Sequence, residues 1–144
     1  MLNIKRLSSA EAFVLVEGAR ASSLRMGIPM CIAVADESGN LIAFDRMDGG
    51  KISSISIAID KAFTAAAARK ATHVYNQLCV PGQPTFGIHI TNGGHFSIIG
   101  GGVPVVIDGE VVGGVGISSG TADQDRVVAE EALQHFLQHT GLAP

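Results

Sequence analysis

A chain of 144 residues is the size of one domain, and its net charge of −3 provides no basic surface for nucleic acid or an anionic membrane. No apolar run approaches the roughly 20 residues of a bilayer crossing, which argues against a membrane-spanning protein. Charged residues make up 16% of the chain and hydrophobic residues 47%. Soluble domains typically contain about 25% charged residues, so this chain has little polar surface for a solitary domain. We therefore expect residues 1–144 to form one domain that assembles into a homo-oligomer.

The N-terminus and the cysteines indicate a cytoplasmic protein. The first residues, MLNIKRLSSAEAF, lack the continuous apolar core and the cleavage site of a secretory signal peptide. Cys31 and Cys79 are far apart in the chain and show no spacing typical of a metal site. We therefore expect both to be small buried hydrophobes and not the two halves of a disulfide.

The first half of the chain predicts two helices around a pair of strands. The capping box at Ser8–Glu11 begins a helix that ends at Gly27. Two strands follow, Met30–Ala35 and Leu41–Arg46, joined by the turn sequence DESGN. A second helix begins at Ser53 or Ser54 and extends to about Ala71.

The second half predicts a hairpin between an irregular segment and a helix. Val80–Gly94 is rich in proline and glycine and predicts an irregular connection. Val103–Ile107 and Glu110–Ile117 are β-branched runs on either side of Asp108-Gly109, a pair that favours a type I′ turn. The capping box Thr121–Gln124 begins the last helix. Hairpins of this kind predict an α+β domain with an antiparallel sheet of about five strands, three of them before the last helix.

Glycines concentrate around this hairpin, and ten of the chain's 18 lie between Gly93 and Gly120. Within a strand, glycine indicates a bulge or the close approach of another group. The pattern predicts a flat sheet face, on which a helix of the same chain, a partner subunit or a ligand lies. Our candidate ligand-binding glycines are Gly101, Gly102, Gly114 and Gly116.

Two motifs known from dinucleotide-binding proteins and serine hydrolases occur here outside the structural context that each needs. Gly114, Gly116 and Gly120 resemble a dinucleotide-binding fingerprint, but the spacing is one residue too long and the preceding strand belongs to a hairpin. Residues 116–120 match G-x-S-x-G, the nucleophile elbow of serine hydrolases. The downstream Asp and His residues share the next helix, where they cannot complete a triad, so we expect a plain strand-to-helix connection.

Three blocks of sequence resemble the GlcG/HbpS family, which includes the C-terminal domain of PduO-type cobalamin adenosyltransferases. The blocks are IAVADESGNLIAFDRMDG, AIDKAFTAA and GGGVPVVIDGEVVGGVGISSGTADQD, and the similarity extends over about Ser8–Phe136. It implies a profilin-like α+β fold and a dimer or higher assembly. Because several members bind haem, it also implies haem as a candidate cofactor.

A haem site in this chain needs its own axial ligand. Haem-binding relatives carry a histidine in the N-terminal part of the domain, whereas the first histidine here is His73. The Glu-x-x-Glu iron motif of the streptomycete relative is also absent. His95 is our candidate axial ligand, because it follows the Asn92-Gly93-Gly94 turn and precedes the glycine-rich strand.

Five further polar residues predict either structural pairs or a small-molecule pocket. Asp125 lies on the apolar stripe of the last helix and Lys61 within a run of Ala and Ile, so both charges need partners. Salt bridges and caps would satisfy these charges. Alternatively, a polar rim around a pocket above the glycines would consist of Arg46, Asp48, Lys61, Thr64 and Asp125.

The resemblance implies a non-enzymatic accessory protein that binds a small molecule or a tetrapyrrole. The alternative is a structural or interaction module of a glycolate-, glycerol- or propanediol-type operon, without a bound cofactor. A cofactorless enzyme that uses Lys61 and Asp125 for acid–base chemistry is a third hypothesis.

Overall fold

Four strands and four helices make up the fold in a computed structural model that describes residues 1–144. The helices are α1 (Ser9–Met26), α2 (Ser54–Ala67), α3 (His73–Leu78) and α4 (Ala122–Thr140), and the strands are β1 (Cys31–Asp36), β2 (Leu41–Arg46), β3 (Gly102–Ile107) and β4 (Glu110–Ser118). The strands form one antiparallel sheet in the order β2-β1-β4-β3. The predicted α+β class is confirmed.

The prediction of about five strands is wrong, because the segment before β3 is bonded to helical elements and not to the sheet. The Ser97 N–H donates to the Thr64 hydroxyl at 2.8 Å, and the Thr72 hydroxyl donates to the Ile99 carbonyl at 2.6 Å. Phe96 packs edge-on against Tyr75, with ring centroids 4.9 Å apart. These contacts occupy groups that a fifth strand would need in order to pair with the sheet.

Local capping signals determine most of the element ends. The capping boxes at Ser8 and Thr121 are both formed, and Gly27 ends α1 in the left-handed conformation. The prediction that α2 extends to about Ala71 is wrong. Arg69 has a φ of 55°, and the Lys70 N–H bonds back to the Ala65 carbonyl, which together end the helix in a Schellman motif.

The hairpin turn has the predicted conformation. Asp108 and Gly109 have φ angles of 49° and 76°, as a type I′ turn requires. The register shifts between Val105 and Val106, so that Val112 of β4 has no partner in β3. The glycine-rich strand therefore contains a bulge, one of the two features that its glycines indicate.

The sheet separates two apolar layers. Helices α1 and α4 cover one face, where a cluster that includes Leu15, Ile32, Val115 and Phe136 is buried. Helix α2 covers the other face and packs on the small side chains of β1. Every residue of β1 is buried, because this strand is central and has a helix on each side. No helix of the structure has both the length and the apolar character of a membrane crossing.

The flat glycine face lies directly beneath α2. A Cβ at Gly114 would come within 2.6 Å of the Ala62 carbonyl oxygen, and one at Gly116 would overlap the backbone of Ala58. A Cβ at Gly102 would meet the Lys61 carbonyl at 2.5 Å. The sequence allows a helix of the same chain, a partner subunit or a ligand on this face. In the structure, the helix α2 of the same chain lies there. The small-molecule floor expected at Gly102, Gly114 and Gly116 is therefore closed.

Candidate functional site

The largest cleft, about 580 Å³, lies beside α2 on the side away from the buried ion pair described below. We call it the His95 cleft. It is bounded by α2, by the turn between β1 and β2, and by the segment that leads to His95. Its lining residues are Gly39, Ser56, Ile59, Asp60, Phe63, Asn92 and His95.

A tight turn delivers His95 to this cleft. Asn92, Gly93 and Gly94 have consecutive positive φ angles of 53°, 66° and 82°, and the His95 N–H closes the turn on the Asn92 carbonyl. Asparagine and glycine tolerate this conformation better than other residues do. The sequence Asn-Gly-Gly is therefore what reverses the chain immediately before the histidine.

The His95 imidazole is held by a carboxylate. Its Nδ1 lies 2.8 Å from the Asp60 Oδ1, and the His95 side chain is 65% exposed. An ionised carboxylate can only accept a hydrogen bond, so Nδ1 carries a proton, and in the neutral imidazole Nε2 keeps its lone pair. A carboxylate in this position also fixes the ring orientation, as it does behind metal-ligating histidines.

Thr64 ties the His95 segment to α2. Its hydroxyl lies 2.8 Å from the Asp60 carbonyl oxygen and 3.2 Å from that of His95, and it accepts the Ser97 N–H. The predicted site residues Thr64 and His95 are thus brought together. Thr64 acts on the backbone that carries the ring, because its side chain is fully buried.

The Lys61–Asp125 pair is buried between α2, the end of β4 and the start of α4. Their side chains are 1% and 3% exposed, with 2.9 Å between Lys61 Nζ and Asp125 Oδ2. Lys61 also donates to the Ile117 carbonyl, and Asp125 also accepts the Gly120 N–H. Burial lowers the pKa of Lys61 and raises the pKa of Asp125, while their mutual hydrogen bond opposes both effects. Both charges are therefore satisfied within the protein. Gly101 packs against this pair, and a Cβ there would come within 2.9 Å of the Lys61 Nζ.

The five polar residues predicted around one pocket lie in three places. Thr64 supports His95, and Lys61 pairs with Asp125. Arg46 and Asp48 are exposed at the end of β2 and line neither the His95 cleft nor the wall around the ion pair. Asp60 was missed. The available signal was its spacing of four residues from Thr64, which places both side chains on one face of α2.

The chain is similar to known proteins along most of its length. The model of a family described as "Haem degrading protein HbpS-like" matches residues 7–134. An uncharacterized 15.0 kDa protein from the dhaT–dhaS intergenic region of Citrobacter freundii is 37% identical over 133 residues, which are 92% of this chain and 94% of that protein.

Two crystal structures are similar along nearly the whole chain. The Klebsiella pneumoniae protein ORFY superimposes with a TM-score of 0.92 at 31% identity, with 94% of each chain covered. The structure of a PduOC:haem complex superimposes with a TM-score of 0.86 at 29% identity, covering 90% of this chain and 94% of the other.

Proposed function

This chain belongs to the HbpS-like family, and we propose that it binds haem, or a closely related metal tetrapyrrole, in the His95 cleft. The observation that carries the proposal is the contact between His95 Nδ1 and Asp60 Oδ1, 2.8 Å in length, at the edge of the largest cleft. It leaves Nε2 free on an exposed imidazole, and a haem iron takes such a nitrogen as its axial ligand.

The cleft suits a flat, largely apolar ligand. Ile59 and Phe63 provide half-buried apolar walls beside His95, and a volume of about 580 Å³ lies within the usual range for small-molecule sites, roughly 300–1,000 Å³. One imidazole is a sufficient protein ligand for the haem iron, because the macrocycle supplies the equatorial nitrogens. Bound haem would supply an iron whose reactivity the axial ligand tunes. A relative with 29% identity has been crystallised as a haem complex, which supports the same ligand class.

We propose a binding role and not a catalytic one for the residues of this chain. Lys61 and Asp125, the pair suited to acid–base chemistry, are buried and hydrogen-bonded to each other. Asp60 is a positioning residue, since it contacts the proposed ligand only through His95. The expected protein is therefore an accessory protein that holds a tetrapyrrole.

Haemin titration followed by absorption spectroscopy tests the proposal. We expect the wild-type protein to shift the Soret band away from that of free haemin and to saturate at a fixed stoichiometry. His95→Ala should remove this axial ligation and weaken binding by at least about tenfold, the equivalent of one strong contact. Asp60→Asn should retain binding but shift the spectrum, because a neutral amide donates less electron density through the imidazole.

His139→Ala is the matched control, because His139 is exposed on α4 and lines no part of the cleft. It should titrate like the wild-type protein. A wild-type spectrum identical to that of free haemin would exclude haem as the ligand. A bound spectrum that persists unchanged in His95→Ala would instead show that another residue ligates the iron.

A further inference from the structure

A second cleft, of about 210 Å³, lies between the N-terminal ends of α2 and α4. We call it the serine cleft. Its wall contains Lys51, Ser54, Lys61, Ser118, Ser119 and Asp125. None of its lining residues is shared with the His95 cleft. The proposed haem site therefore makes no use of these groups.

Two buried hydroxyls in this cleft have no partner in the protein. Ser54 is 2% exposed and Ser118 is 5% exposed, and both line the cleft. No protein group forms a hydrogen bond with either hydroxyl, although buried polar groups are nearly always paired. The fully enclosed unpaired side-chain atoms belong to Ser22, His73 and His135. The Ser54 and Ser118 hydroxyls therefore keep some exposure to the cleft, where a ligand that accepts hydrogen bonds would take the place of water.

The charges around the serine cleft favour an anion. Lys61 and Asp125 neutralise each other. Lys51 forms no ion pair, and its ammonium lies near enough to Asp125 to lower the pKa of that carboxyl. Helix α2 has no acidic residue in its first turn and no side-chain cap at Ser53, so no residue of that turn offsets the positive end of its dipole. The wall thus has an excess of one positive charge.

Ser119 shapes the mouth of this cleft. Its hydroxyl accepts the Lys51 N–H at 3.0 Å and also hydrogen-bonds the Cys31 side chain, which fixes its position at the mouth. Ser119 has a φ of 120°, which side chains rarely adopt, and such residues concentrate at functional sites. The Ser54 and Ser118 hydroxyls and the unpaired Lys51 ammonium therefore line a space large enough for a few heavy atoms.

We propose that the serine cleft binds the carboxylate group of a small organic acid. A carboxylate accepts several hydrogen bonds and carries a single negative charge, which matches the excess charge of the wall. A phosphate dianion has twice this charge and would lie beside the buried Asp125 carboxylate, so it is the poorer match. The site is independent of haem binding.

Titration of the whole protein with sodium acetate, observed by amide chemical shifts in NMR, tests this proposal. Ionic strength is kept constant with chloride, and sodium phosphate is titrated in parallel. We expect saturable shifts at Ser54, Ser118 and Ser119, and weaker binding of phosphate than of acetate. Lys51→Gln should weaken acetate binding about tenfold, as expected for the loss of one charged contact.

Ser118→Ala separates binding from folding. Because the Ser118 hydroxyl has no protein partner, its removal should leave thermal stability unchanged or raise it while weakening acetate binding. Lys70→Gln is the charge-matched control, since Lys70 is exposed beyond the other end of α2 and should have no effect. His95→Ala should bind acetate normally.

Three results would overturn the proposal. One is the absence of saturable shifts with acetate. Another is an equal response of the wild-type protein and Lys51→Gln, which would indicate unspecific ion binding. Tighter binding of phosphate than of acetate would exclude the assignment to a carboxylate.

Discussion

At the scale of single residues, the buried Lys61–Asp125 pair explains two charges that the sequence places among apolar residues. Each side chain has a further backbone partner, Ile117 for Lys61 and Gly120 for Asp125. The pair therefore joins α2 to the last strand and to the start of α4. Such a pair fixes geometry more than it adds net stability, because desolvation offsets most of the attraction.

We predict that removing one charge of this pair lowers the free energy of unfolding much more than removing both charges. Asp125→Asn should lower the free energy of unfolding by about 3–5 kcal/mol, because it leaves the Lys61 ammonium buried without a countercharge. The double variant Lys61→Met/Asp125→Leu should recover most of this loss. Urea denaturation of Asp125→Asn, Lys61→Met and the double variant measures the difference.

Arg126→Gln is the surface control, since Arg126 and Glu130 form a partly exposed pair one helical turn apart. We expect it to cost less than about 1 kcal/mol. A double variant that is no more stable than the single variants would show that the pair itself, and not the unpaired charge, stabilises the fold.

At the scale of elements, α2 connects the sheet to both clefts. One side of the helix rests on the glycines of β4, which allow its backbone to approach the sheet closely. The same helix also carries Asp60 to the His95 cleft, Thr64 to the backbone of His95 and Ser54 to the serine cleft. The distance between α2 and the sheet therefore determines the position of every proposed binding group that α2 carries.

We predict that Gly116→Ala moves or loosens α2. The added methyl group would overlap the backbone of Ala58 and Ala62, which cannot rotate away as a side chain could. Overpacking of this kind costs about 3 kcal/mol, which corresponds to a fall in Tm of about 10 °C for a domain of this size. Thermal denaturation followed by circular dichroism measures it.

Gly100→Ala is the matched control for this prediction. Gly100 is also buried and has no left-handed φ, but an added Cβ would lie 3.3 Å from its nearest neighbours. We expect a loss of about 1 kcal/mol or less, since a small shift relieves the contact. Equal melting temperatures for Gly116→Ala and the wild-type protein would disprove the close packing of α2.

What the sequence could predict is mostly local. Capping boxes, the Asp-Gly turn and β-branched runs are determined by neighbouring residues, and the corresponding helices and strands are confirmed. The fifth strand was predicted wrongly because Ser97 and Ile99 bond to Thr64 and Thr72, about 30 residues away in the chain. The sequence indicates His95 through its position after the Asn92-Gly93-Gly94 turn alone. Its partner Asp60 is 35 residues away, and no local pattern connects the two.

At the scale of the whole molecule, several large apolar side chains are exposed on the surface. Along α1, an apolar groove of about 410 Å³ is lined in part by Phe13, Val16 and Leu24. Phe13 and Leu24 are exposed although they are large and apolar. Exposed apolar patches of this kind mark surfaces for association. With only 16% charged residues in the chain, the most economical way to cover the groove is a second copy.

We predict that the protein is a dimer or a higher oligomer and that α1 contributes to the interface. Light scattering coupled to size-exclusion chromatography should give a mass of at least two chains at micromolar concentration. Phe13→Glu/Leu24→Glu should shift the mass toward that of a single chain, because burying two unpaired carboxylates opposes association. The control Gln83→Glu/Gln138→Glu adds the same charge at exposed polar positions and should not change the mass. A wild-type monomer at high concentration would contradict the prediction of an oligomer, and equal dissociation of both double variants would place the interface elsewhere than α1.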